Sequence, residues 1–65
     1  MPKYPNITVK LVGHDGNAFA IMGRVVAALR KAGVPKEDID AYRTESMSGD
    51  YNHLLATAMD WVDVE

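Results

Sequence analysis

The sequence predicts a small α+β domain with the element order β-α-α-α-β, one unit over residues 1–65. Three observations predict it. Apolar and polar residues alternate near both ends, over residues 6–12 and 61–65. Between those ends, apolar residues recur at helical spacing in three blocks. Glycines and capping residues stand where the period changes.

Residues 1–5, "MPKYP", carry two prolines and no period, and read as an extended lead-in. In the first strand Ile7, Val9 and Leu11 share one face, while Thr8 and Lys10 share the other. The run Gly13-His14-Asp15-Gly16 breaks the alternation, and Asn17 or Asp15 can cap the helix after it. Over residues 18–32, Ala18, Ile21, Met22, Val25, Ala28, Leu29 and Ala32 form a helical stripe, and Gly33 ends it. A second helix has Pro35 at its first position, Glu37 and Asp38 in the first turn, and Gly49 as its stop. Its narrower stripe is Ile39, Tyr42 and Met47. Asp50 caps a third helix whose buried side is Tyr51, Leu54, Leu55, Ala58 and Met59. In the closing strand Val62 and Val64 face opposite to Trp61 and Asp63. Phe19 reads as core, and Trp61 as a second layer or an oligomer interface.

A chain of 65 residues buries only about 60% of the surface its unfolded form exposes. Small domains usually add a disulfide, a metal or a partner subunit. There is no Cys, which excludes disulfides and thiolate zinc sites, and with two His a metal cage would have to be carboxylate-rich. Two short strands are marginal alone, and open strand edges invite pairing. The sequence therefore predicts that the strands extend into a larger sheet in a homo-oligomer, a dimer or tetramer.

Seven Lys and Arg stand against nine Asp and Glu, a formal net charge of −2. That balance argues against a dedicated duplex-DNA or polybasic membrane binder. No apolar run is long enough to span a membrane, and the first residues lack the pattern of a signal peptide. The expectation is a cytoplasmic protein with no membrane partner, no cofactor and no metal.

The corner "GHDGNAFAIMG" bears the first candidate site. A strand that turns through glycine into a helix presents backbone N–H groups at a positive dipole end, where a phosphate can sit. Its spacing matches neither established phosphate-loop pattern, and Asp15 places a carboxylate there. Two readings stay open: a turn only, or a ligand loop centred on Gly16 and Asn17. His53, three residues after Asp50, is a general-base candidate on paper, but no nucleophile in a recognised setting accompanies it beyond nearby Ser46 and Ser48. A ligand-contacting or solvent-facing His53 is the preferred reading, and no catalytic residue is assigned. Arg24 and Arg43 are phosphate candidates, the alternative being a solvated surface balanced by Glu37, Asp40 and Glu45. Tyr51, beside Gly49 and Asp50, is placed to stack on a base or to cap a core edge.

The segments "DGNAFAIMG", "ALRKAG" and "SGDYNHLL…MDWVDV" resemble a group of short proteins encoded by bacteriophages and bacterial mobile elements. Small phage proteins of this kind include oligomeric sponges that sequester the cyclic nucleotide signals of bacterial immunity, such as the cyclic dinucleotides of CBASS defence. The resemblance implies a bacterial host and a non-catalytic protein that holds a phosphate-bearing nucleotide. With it, Gly16, Asn17, Arg24, Arg43, Tyr51 and His53 become the expected ligand contacts. The alternative is a protein-interaction module that regulates a host protein through an exposed strand edge or the Trp61 face.

Overall fold

Strand β1 (Tyr4–Val9) is followed by helices α1 (Ala18–Lys31), α2 (Lys36–Ser46) and α3 (Tyr51–Trp61), and by strand β2 (Val62–Val64). The computed structural model describes residues 1–11 and 16–65. Expectations placed on Val12, Gly13, His14 and Asp15 (the strand end, the break, a turn histidine, an alternative cap) lie outside the described residues. The α+β class and the element order are those the sequence predicts.

The two strands pair in parallel, Tyr4 opposite Val62 and Val9 opposite Val64, with an irregular stretch between Tyr4 and Thr8. The chain between them supplies the crossover that parallel strands require. Pairing runs past the strand ends, with Lys3 N–H donating to the Asp60 carbonyl and Leu11 N–H to that of Glu65, each at 2.8 Å. β1 thus starts earlier than the alternation predicts. Pro5 has no N–H to donate, and it is tolerated because it falls in the irregular stretch of the ladder.

The helix ends obey their local chemistry. The Asn17 side chain accepts the Phe19 N–H at 2.8 Å, capping α1. At its far end Gly33 has φ of 83°, and the N–H groups of Gly33 and Val34 return to the carbonyls of Arg30 and Leu29. That double return needs the left-handed conformation glycine adopts without strain. Pro35 is the N-cap of α2 rather than its first helical residue, and Met47, not Gly49, closes the helix.

The core is the meeting of β1, β2 and the three helices around Ile7, Val9, Val25, Leu29, Ile39, Tyr42, Trp61 and Val62. Trp61 is a buried member of it, 6% exposed. Its ring lies 5.6 Å from that of Tyr42, edge-on, and 6.0 Å from that of Tyr4, with Lys3 Nζ 4.4 Å above it. This corrects its assignment to a strand face: Trp61 is the last residue of α3 and continues the buried line Leu54, Ala58. Phe19, expected in the core, is 71% exposed; Met47, Tyr51 and Met59 are 60%, 45% and 62% exposed. Phe19 is two residues before Ile21, on the wrong side of the stripe Ile21, Val25, Leu29. Met47 and Tyr51 stand at helix ends, where little covers them.

Two buried hydroxyls carry no signal in the sequence pattern. Ser46 Oγ donates to the Tyr42 carbonyl and Thr57 Oγ1 to the His53 carbonyl, each at 2.8 Å, so each satisfies itself within its own helix. The Tyr42 hydroxyl is fully buried and, among the described residues, makes no hydrogen bond of good geometry, although the Ser46 side chain is close enough to offset part of its desolvation. Burial pushes its pKa up. Removing an unsatisfied buried hydroxyl relieves a desolvation cost of about 1–3 kcal/mol. Tyr42→Phe is therefore expected to leave the fold intact and to hold or raise the thermal midpoint. A clear fall in the melting temperature by circular dichroism would show that the hydroxyl has a partner.

Candidate binding groove

The first turns of α1 and α3 and the link from α2 to α3 enclose an apolar groove of about 250 Å³. Its walls are Ala18, Phe19, Met22, Met47, Tyr51 and Leu54, with Ser46, Gly49 and Asp50 completing it. Four polar contacts hold these parts together. Asp50 Oδ1 accepts the His53 N–H at 2.9 Å and starts α3. The Tyr51 hydroxyl donates to the Gly16 carbonyl at 2.5 Å, fastening α3 to the entrance of α1. The His53 ring reaches back to α2, with Nε2 2.9 Å from the Glu45 carbonyl and 3.1 Å from Ser48 Oγ.

That last arrangement superficially pairs a serine with a histidine, and its proton count decides the chemistry. Ser48 Oγ donates to the Glu45 carbonyl at 2.7 Å. A carbonyl only accepts, so His53 Nε2 also carries a hydrogen when it bonds to Glu45. The nitrogen facing Ser48 is thus a donor and does not withdraw the serine proton. The network ties α2 to α3. The Asp50–His53 pairing suggested by the sequence also resolves: the Asp50 oxygen goes to the His53 backbone N–H, not to its ring.

Of the expected ligand residues, Gly16, Asn17 and Tyr51 are brought together at the start of α1, Gly16 and Tyr51 by a direct hydrogen bond. His53 stands behind the groove, its ring directed at the end of α2. Arg24 and Arg43 are exposed and neither lines the groove. Asp50 is the charged residue among those lining it, and its carboxylate caps α3. Trp61 does not offer a surface, since it is only 6% exposed and its Nε1–H donates to Glu45 Oε2 at 3.3 Å. Among the described residues no cluster of His, Asp or Glu is arranged to hold a metal ion. No helix among them is long and apolar enough to cross a membrane.

Sequence reasoning missed Met22 and Leu54 as groove residues and placed Phe19 and Met47 in the core. The available signal was position: Phe19 is off the α1 stripe, and Met47 lies past the last turn of α2. The chain matches no protein-family model, no curated protein and no solved structure.

Proposed function

We propose that this protein acts by binding rather than by chemistry, as an interaction module that docks another polypeptide in the groove between α1 and α3. The observation that carries this reading is the composition of that surface. Phe19, Met47 and Tyr51 are large apolar side chains turned outward around one concavity. Contiguous exposed apolar surface of this kind marks interaction sites, and aromatic and Met residues are enriched at interfaces. A suitable partner segment presents an apolar anchor residue to the groove and a neutral or basic group to Asp50.

The second reading is sequestration of a phosphate-bearing nucleotide, such as a cyclic dinucleotide, by a phage-type sponge in a bacterial cytoplasm. What favours it is the position of Gly16, Asn17 and Tyr51 at the start of α1, where backbone N–H groups and a stackable ring lie together. Asp50 weighs against it, because a carboxylate in the wall repels an anion.

Titration of the isotope-labelled protein separates the two. An amphipathic helical peptide with a Phe anchor is expected to shift the amide resonances of Ala18, Met22, Gly49 and Leu54 in a saturable way. Cyclic dinucleotides are expected to leave them in place. Saturable nucleotide shifts that Arg24→Gln or Arg43→Gln abolishes would put the sponge reading first.

A further inference from the structure

We infer that the polypeptide docked in the groove is a second copy of this chain, the two related by a twofold axis and each placing its Phe19 ring in the other's groove. The inference rests on the docking reading above and names its partner.

Three observations lead to it. The first is that hole and plug occur on one surface. A twofold contact uses the same patch on both copies, so it must be self-complementary. Here a groove of about 250 Å³ adjoins a phenyl ring that is 71% exposed. An apolar cavity of about 150 Å³ already accommodates benzene, so the groove has room for one ring and the methylenes around it. Phe19 is a wall of its own groove and is still 71% exposed, so most of its surface is open to a neighbour.

The second is charge. The groove wall carries Asp50. Arg43 precedes Ser46 and Met47 by three and four residues, which puts it on their side of α2, one turn from the groove. Arg43 already lies near Asp40 of its own helix, and in a twofold contact the pairing to be tested is Arg43 of one copy with Asp50 of the other. One chain thus supplies both signs, and no oppositely charged foreign partner is needed.

The third is size. The chain has no disulfide and, among the described residues, no metal cluster. Association is one way for a domain this small to cover its outward-facing Phe19, Met47 and Tyr51. The polar outer face of the strands, with Thr8 and Asp63 exposed and in contact at 3.5 Å, offers no comparable apolar surface.

The test is sedimentation velocity of the full chain from low micromolar to near-millimolar concentration, with Phe19→Glu, Met47→Glu, Arg43→Gln and Asp50→Asn. Glu at position 19 sits in the first turn of α1, where the dipole favours it, so the fold is retained. Asn at position 50 keeps the cap and removes only the charge. The native chain is expected to pass from monomer to dimer. Phe19→Glu should raise the dissociation constant by about thirtyfold or more, the effect of losing a central anchor. Arg43→Gln and Asp50→Asn should each raise it less, with the native salt dependence reduced. Met47→Glu carries the test should Phe19→Glu lose its helical circular dichroism. Self-association indifferent to Phe19→Glu and Met47→Glu would overturn the inference and place the contact elsewhere, such as a sheet edge. A native monomer at all concentrations overturns it as well. In that case a Phe-anchored peptide that still docks preserves the interaction reading, and a peptide that does not dock ends both.

Discussion

Trp61→Ala is expected to abolish cooperative folding at room temperature, or to leave a domain that melts at the slightest addition of urea. Truncating a buried Trp or Phe to Ala costs about 3–5 kcal/mol. A domain of 65 residues has a total stability of roughly 3–10 kcal/mol at the usual value per residue. The loss is therefore of the order of the whole. Trp61 is also where the fold converges: it ends α3, directly precedes β2, and packs against Tyr4 of β1 and Tyr42 of α2. Its removal separates helix from sheet at both strands together. Trp61→Phe retains an aromatic ring against Tyr4 and Tyr42 and is expected to fold with a lowered midpoint. Urea melts followed by circular dichroism decide the matter, and a Trp61→Ala midpoint near that of the native chain would contradict this view of the core.

Gly49→Val has the next largest effect, and it bears on the groove. Any Cβ at position 49 would stand 2.8 Å from Cβ and Cγ of His53 and 2.9 Å from its Cδ2. Distances that short force movement, and His53 Cβ is rigidly attached to the first turn of α3. The link between α2 and α3 must shift, at a cost of about 1–3 kcal/mol for overpacking, with the branched Val at the upper end. Gly49 and Asp50 both line the groove, so the shift also distorts the docking surface. Adding His53→Ala removes the ring contacts but keeps the Cβ contact, and rescue should be partial. Full rescue of stability by His53→Ala would show that only the ring resists, and the contact with His53 Cβ would then carry no weight.

How much of this was legible in the sequence differs by element. The α1 stripe and its Gly33 stop read directly, because the 3.6-residue period and a glycine at C′ are strong local signals. Asn17 and Asp50 were legible as caps for the same reason. What escaped was set by tertiary packing. Trp61 looked like a strand residue because Val62 and Val64 alternate after it, yet its spacing from Leu54 and Ala58 is helical. The helix runs directly into β2, with Val62 as its C-cap in extended conformation, so two periods share one boundary. Ser46 and Thr57 are polar in sequence but bury well, since each donates to a carbonyl four residues back.

The candidate site was legible only at one edge. Gly16, Asn17 and Tyr51 stand out singly in the sequence, and the fold places them together. Their shared surface was not visible, because it joins residues more than thirty positions apart through the Tyr51–Gly16 bond. Phe19 and Met47 read as core on residue type alone. Exposure depends on which face the neighbouring elements cover, and the sequence near Phe19 held that information only as an angle to the α1 stripe. The expected phosphate contacts Arg24 and Arg43 stand outside the groove.

Methionine oxidation footprinting tests the central claim in its sharpest form, that two copies of this chain meet at the groove. Met47 lies in the groove wall, while Met1 and Met59 are exposed elsewhere and report on general reactivity. A brief peroxide pulse at low and at high protein concentration, read by peptide mass spectrometry, compares them within one chain. The account predicts that Met47 becomes protected as concentration rises while Met1 and Met59 oxidise at unchanged rates. Equal oxidation of Met47 and Met59 at every concentration, or protection of Met59 in place of Met47, would contradict it.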